Sequence, residues 1–368
     1  MYTTTARKAA VLAAAVLALP LAACSSGKTS ASSSGSPGGI SGAKIAFLMP
    51  DEASTRYEQH DAPGFKAALA KLCPSCTPLY NNATADAAKQ QQQFNAAISQ
   101  GVKAIVIDPV DSTAAVSLVA QAQAKGIKVI AYDRPIPNSK VNFYVSFDNE
   151  AIGKAIAASL VQHMKSTNVP TSKGILEVNG SPTDAAAGLI KKGIHEGLAN
   201  GGYSTLAEYD TPEWDPSKAQ QWVSGQISRF SGKIGGIVAA NDGTAGGAVA
   251  ALKAASVKPI PPVTGNDATV AGLQLIIAGD QYNTISKPSE IVAGAAAQVA
   301  ADLLEGKTVA ATGGGHLTTV FGAPTMLFVP KVITKENLKT DIVDAKITTA
   351  AQLCTGSYAA GCKTLGIS

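Results

Sequence analysis

The side chains able to do chemistry share one position in this sequence: each follows a short apolar run. Asp51, Glu52, Arg56 and Tyr57 come after KIAFLM, Asp108 after AIVI, and Asp133 and Arg134 after KVIAY. Asn179 to Asp184 follow GILEV, and Trp214 sits in the loop after Tyr209. Asn241 and Asp242 follow GIVAA, Asn266 and Asp267 come next, and Lys287 follows YNTI. Carboxylates, amides, two guanidinium groups, an ammonium and two aromatic rings would meet if these run ends shared an edge. Such a set suits a neutral polyhydroxylated solute. Each hydroxyl donates to a carboxylate and accepts from Arg, Lys or Asn, and the C–H face of a ring packs on indole or phenol.

Each of these residues also has a plainer use. Asp and Asn after a strand commonly cap the following helix, which applies to Asp184, Asn241 and Asp242. Trp214 could lie over the core, Trp222 reads as helix packing, and Asp108 before Pro109 could shape a turn. Arg134 and Lys287 are harder to explain this way, because a following Pro restricts each backbone. The concentration of these groups at run ends is the argument, more than any one position.

Enzyme signatures are missing. No G-x-G-x-x-G follows the first strand, no P-loop is present, and no nucleophile elbow appears. Gly243 to Gly247 lacks the phosphate-loop spacing, and Gly313-Gly314-Gly315 reads as a turn. The four His residues are scattered without H-E-x-x-H, so neither a metal nor a cofactor is expected. A non-catalytic binding protein is the expectation.

The elements that must position these groups alternate along the chain. Strands are predicted at 44–49, 79–80, 104–107, 128–132, 174–178, 206–209, 236–239, around Val263, and at 282–285. Helices are predicted at 63–72, 86–99, 113–125, 151–164, 185–198, 217–230, 243–255, 269–278 and, after the strand at 282–285, to about Leu304. Alternation of this kind predicts parallel sheets with helices on both faces. The strands are too many for one comfortable sheet, so two doubly wound lobes are expected. Ligands bind outside the carboxyl ends of strands in such sheets, where the polar residues stand.

The chain has 368 residues, 46% of them hydrophobic and 15% charged, enough for a packed core in about two domains. Residues 1–23 read as an export leader: Arg7 and Lys8, a short apolar stretch, then Leu21-Ala22-Ala23 before Cys24. That ending resembles the bacterial lipobox, which implies lipidation of Cys24 and an extracytoplasmic body held at the cell membrane. Residues 24–42 are rich in Ser and Gly and read as a tether. Without Arg7 and Lys8, 28 basic residues face 26 acidic ones; no nucleic-acid partner is expected, and a monomer is. Export permits disulfides. Cys73, Cys76, Cys354 and Cys362 allow three connectivities, of which the local one, Cys73–Cys76 with Cys354–Cys362, needs no long-range geometry. A redox reading of Cys73-Pro-Ser-Cys76 is disfavoured because the pair follows a helix instead of starting one.

The segments GVKAIVIDP (101–109), GIKVIAYDR (126–134), FYVSFDNE (143–150), GSPTD (180–184), IVAANDGTAGGA (237–248), GNDATVAG (265–272) and TISKP (284–288) together resemble the type I periplasmic sugar-binding proteins of ABC importers, in particular the D-xylose-binding group. The resemblance runs from Lys44 to about Glu336. It implies a monosaccharide ligand, a xylose-like pentose in the first place, and an importer permease as partner. Presentation of the ligand to a membrane sensor, or a hexose, polyol or autoinducer as ligand, is the alternative. Position by position, Arg56, Asp133, Arg134, Asn241, Asp267 and Lys287 fall where that group places polar sugar contacts. Trp214 falls at a stacking indole and Tyr57 at a second aromatic position, and Asp184 closes the GSPTD loop. Ala185-Ala186 stands where the group carries paired Asn. The resemblance also implies a three-strand hinge crossing near Ser146–Asp148, Ile285–Lys287 and Gly306. One lobe would then comprise 43–147 plus 287–306, the other 148–286 plus 307–345, with a tail at 346–368.

Overall fold

The computed structural model describes residues 39–199 and 201–368. The leader, Cys24 and the tether up to residue 38 lie outside the described residues.

The first lobe is built on β1 (Lys44–Met49), β2 (Thr77–Asn82), β3 (Ala104–Ile107), β4 (Lys128–Tyr132) and β5 (Phe143–Phe147). They pair in parallel in the order β2-β1-β3-β4-β5. Helices α1 (Ala62–Leu72), α2 (Ala87–Ser99) and α3 (Ala115–Gln123) cover the sheet. β3 and β5 are buried at every residue, as strands covered on both faces must be. Alternate residues of β1 serve opposite sides: Phe47 stacks on Phe65 of α1 with centroids 4.3 Å apart, while Ala46 and Leu48 pack with Phe94 of α2.

The second lobe begins with α4 (Asn149–Ser166) and continues through β6 (Gly174–Asn179), α5 (Ala185–Leu198), β7 (Thr205–Asp210), α6 (Pro216–Arg229), β8 (Ile234–Ala239), α7 (Asp242–Ala254) and α8 (Val270–Ala278). Its sheet is parallel, in the order β7-β6-β8. Val263 makes only a single bridge to Ile237, not the strand expected there. β9 (Asn283–Ser286) leads back to α9 (Ser289–Leu304), which packs on α1 and on the first sheet. Two doubly wound, mostly parallel sheets flanked by helices are thus what the alternating pattern predicted.

The segment after α9 departs from expectation. Residues 307–345 were assigned to the second lobe, with a crossing near Gly306. Instead β10 (His316–Val320) and β11 (Ala323–Phe328) form a hairpin that extends the first sheet, β11 running parallel to β5 with Thr325 opposite Tyr144. Without it, β5 would leave a row of unpaired backbone groups at the sheet edge. Met326 and Phe328 also bury into the same core as Phe147. The third crossing therefore lies between Phe328 and Lys331, where β12 (Lys331–Thr334) begins and pairs antiparallel with β9. Asp148 N donates to Phe328 O at 3.1 Å, tying the first crossing to the third.

In the tail, α10 (Ala350–Leu353) and α11 (Ala359–Thr364) bury Leu353, Cys362 and Ile367 against Leu273 and Ile276 of α8. The cysteines pair locally, Cys73 with Cys76 and Cys354 with Cys362. Among the described residues, no helix is long and apolar enough to cross a membrane.

Candidate functional site

All nine residues singled out as ligand contacts line one cavity between the lobes. Arg56 and Tyr57 come from the helical turn that leads into α1, and Asp133 and Arg134 from the loop after β4, all in the first lobe. Asp184, Trp214, Asn241 and Asp267 come from the second, and Lys287 from the crossing after β9. The side chains nearly fill the cavity, leaving about 20 Å³ open to a water-sized sphere.

Local backbone geometry aims several of them. Asp133, Trp214 and Asp267 have φ of 56°, 57° and 103°, a region that costs a non-glycine residue about 1–3 kcal/mol and persists only where its surroundings enforce it. For Asp133 those surroundings are explicit. Its N–H donates to Val145 O at 2.9 Å, and its carbonyl accepts from Tyr144 OH and Ser146 Oγ, both at 2.7 Å. The capping readings of Asp184 and Asn241 hold as well. Asp184 Oδ1 accepts from Ala186 N at 2.7 Å to start α5, and Asn241 Oδ1 accepts from Thr244 N at 2.9 Å to start α7. In each case one end of the side chain fixes a helix and the other end stays in the cavity.

Trp214 is buried, and its Nε1 donates to Asp184 Oδ2 at 3.0 Å. Its ring packs against Gly180, where a Cβ would come within 2.1 Å of Cη2. Trp222 takes the packing role expected of it, stacked on Tyr209 at 5.4 Å.

The electrostatics are crowded. Arg56 contacts Asp133 at 2.5 Å, Asp61 at 2.7 Å and Asp267 at 3.8 Å. Arg134 contacts Asp51 at 2.6 Å, Asp184 at 3.1 Å and Asp108 at 3.3 Å. Lys287 lies 3.2 Å from Asp267 and 3.7 Å from Asp133. Three cations thus serve six buried carboxylates, and the carboxylates divide accordingly. Burial pushes the Asp133 carboxyl up, but Arg56, Lys287 and Arg134 outweigh it and hold it well below the usual range. Burial wins at Asp108, whose carboxyl is pushed up well above the usual range. Asp108 accepts no hydrogen bond at either oxygen, and its contact with Arg134 offsets the burial only in part. Burial also raises Asp61 and Asp184, against Arg56 and Arg134 respectively.

One buried acceptor at the cavity, Asn266 Oδ1, has no hydrogen-bond partner. A ligand hydroxyl can donate to it.

Ser54, Asn149, Ala186, Ile190 and Asn266 also line the cavity and were not among the nine. Asn266 stands beside Asp267 in the run-end pattern and was within reach of sequence reasoning. Ile190 was also accessible, since it lies one helical turn beyond Ala186 and must share its face. Ser54 and Asn149 carry no signal in their spacing.

The periplasmic binding protein domain model matches residues 45–308. The D-xylose-binding periplasmic protein of Escherichia coli (strain K12) is 34% identical over 260 residues, covering 69% of this chain and 76% of that one. The D-xylose-binding periplasmic protein of Haemophilus influenzae is 30% identical over 267 residues, covering 71% and 78%. An ABC transporter solute-binding protein from Clostridium phytofermentans, solved with bound β-D-glucose, superposes with a TM-score of 0.76 at 25% identity, covering 84% of this chain and 99% of that one. These relatives are binding proteins and not enzymes. The chain belongs to the periplasmic binding protein family.

Proposed function

We propose that this protein captures a neutral monosaccharide between its lobes, outside the cytoplasmic membrane, for delivery to an ABC importer. The observation that carries this reading is the ring of nine polar and aromatic residues around one cavity, with an unpartnered acceptor, Asn266 Oδ1, among its lining residues. Arg56, Asp133, Arg134, Asn241, Asp267 and Lys287 take the hydroxyls, and Trp214 and Tyr57 pack on the ring. Charge-assisted bonds of this kind contribute roughly 1.5–3 kcal/mol each, so a handful reach micromolar affinity, about −8 kcal/mol, after ordering costs.

Direct contacts such as Arg56–Asp267 and Lys287–Asp267 span the space a sugar would enter. Ligand hydroxyls replace them, and lobe motion about the three crossings admits the ring. Ala186 and Ile190 make one corner apolar. That corner favours a sugar presenting carbon instead of hydroxyl to α5, as the unsubstituted ring methylene of a pentopyranose does. The relatives' xylose and glucose ligands bracket the choice, and we place a xylose-like pentose first. The lipid anchor at Cys24, a monomeric state and the permease partner complete the reading; presentation to a membrane sensor is the alternative destination.

A thermal-shift screen against pentoses, hexoses and polyols, followed by calorimetry on the hits, tests the ligand class. A pentose is expected to give the largest shift. Silence across all three classes would overturn a sugar ligand.

A further inference from the structure

A second cluster of ligating groups stands apart from the cleft, on the outer side of the second lobe. Glu177 on β6, His195 on α5 and Glu208 on β7 bring two carboxylate oxygens and an imidazole nitrogen within 4.8 Å of one another. His195 Nε2 lies 3.2 Å from Glu177 Oε2 and 3.1 Å from Glu208 Oε2. Donors around a tetrahedral Zn²⁺ with bonds of about 2.1 Å stand about 3.4 Å apart, so both separations are near those of a coordination sphere.

The cluster has a feature that surface acids lack. Glu177 sits in the middle strand of its sheet and is 1% exposed, on the side of β6 that faces α5. Thr205 Oγ1 donates to its Oε1, but its Oε2 is buried and accepts no hydrogen bond. A single Nε2–H cannot serve two carboxylates, and His195 Nε2 stands between Glu208 and Glu177. Glu177 Oε2 is therefore an unanswered charge-bearing atom aimed into the cluster, a costly arrangement for a strand interior. A surface pocket lined by Leu198, Tyr203 and Thr205 opens on these groups and gives access from solvent.

The neighbouring charges fit a divalent ion. Lys191 Nζ lies 3.3 Å from Glu208 and 3.0 Å from Asp210. Three carboxylates, Glu177, Glu208 and Asp210, thus gather here around a single ammonium.

We propose that Glu177, His195 and Glu208 form a binding site for a first-row divalent cation, for which Zn²⁺ is the natural probe, since one imidazole and two carboxylates suit it. The ion replaces the His195 proton, satisfies Glu177 Oε2 and pins α5 to β6 and β7, with water completing its sphere. No motif announces the site, because its residues lie on three separate elements, which explains why the scattered His pattern led to an expectation of no metal. The site does not depend on the cleft's ligand.

The test is calorimetry of Zn²⁺ binding to the untagged, chelator-treated protein, with Co²⁺ absorption as a spectroscopic check. One ion per chain at micromolar affinity is expected. Glu177→Gln, which keeps the volume and the Thr205 bond, and His195→Ala, on the exposed side of α5, should each weaken binding at least tenfold and remove the Co²⁺ ligand-field bands. Should Glu177→Gln fail to fold, His195→Ala alone decides. Absence of saturable binding up to millimolar Zn²⁺, or binding indifferent to the substitutions, overturns the proposal.

Discussion

Arg134 of the first lobe and Asp184 of the second meet across the cleft, Nε to Oδ2, at 3.1 Å. The same Asp184 oxygen accepts from the Trp214 indole at 3.0 Å. One carboxylate thus links a guanidinium of one lobe to the flat ring of the other. Beside it, Ser112 N donates to Thr183 O at 3.0 Å, and Ala185 N donates to Ser112 Oγ at 3.1 Å. The rim of the cleft is therefore held by direct bonds between the loops after β3 and β6.

Replacing Asp184 with Asn tests this link. Asn keeps the helix cap of α5 through its one oxygen, but turns an amide NH2 toward Arg134 and the indole, so the charge and the indole's acceptor are both lost. The variant is expected to widen the free protein, read as a larger radius of gyration in solution scattering, and to weaken sugar binding roughly tenfold. An unchanged radius together with unchanged affinity would mean that the ion contact plays no part in lobe closure.

Asp133 is the carboxylate most tightly enclosed by cations, with Arg56 at 2.5 Å and Lys287 at 3.7 Å. Asp133→Ala removes the acceptor for a ligand hydroxyl and leaves Arg56 facing only Asp61 and Asp267. The sugar-induced rise in melting temperature should vanish, with affinity falling at least ~30-fold, about 2 kcal/mol. A variant that keeps the full ligand response would remove Asp133 from the site.

Gly180→Ala is a probe of the indole alone. Its Cβ would stand 2.1 Å from Trp214 Cη2, so the ring must shift from its seat over the cleft. Sugar affinity should drop about tenfold, while the rest of the second lobe, read by far-ultraviolet circular dichroism, stays native. Should the variant bind as tightly as the parent, the ring does not contact the sugar.

Asp242 supplies a pH dependence whose sign can be worked out. Burial, helped by Asp267, pushes its carboxyl from 3.8 up to about 7, against hydrogen bonds from Thr284, Gln281 and Thr269. The folded chain then binds a proton that the unfolded chain releases between about pH 4 and 7. That proton favours the folded state at the acid end, and stability from this group declines as pH rises through the window, by up to about 1.4 kcal/mol per unit, then levels off. Asp242→Asn carries a constant cost from its mismatched amide but lacks the slope. Urea denaturation of both proteins at pH 5, 6, 7 and 8 should show their stabilities converging as pH rises. A constant gap across that range would contradict the assignment.

Much of the architecture can be read in the one-dimensional pattern. Runs such as KIAFLM, AIVI and KVIAY become β1, β3 and β4 residue for residue, because strands covered on both faces must be apolar throughout. The polar residues at the run ends could be foreseen as a set, since a parallel sheet delivers the end of every strand to one edge. What the hairpin of β10 and β11 does could not be foreseen: HLTTV and APTMLF contain no information about which sheet edge is unpaired, and only the finished β5 supplies that edge. The same holds for backbone strain at Asp133, Trp214 and Asp267, which the assembled neighbours impose. The division of protons among six carboxylates is likewise a tertiary matter, because burial and the distance to three cations set it. The meeting of Glu177, His195 and Glu208 belongs there too: the chain order separates them, and the packing of α5 on the sheet brings them within reach.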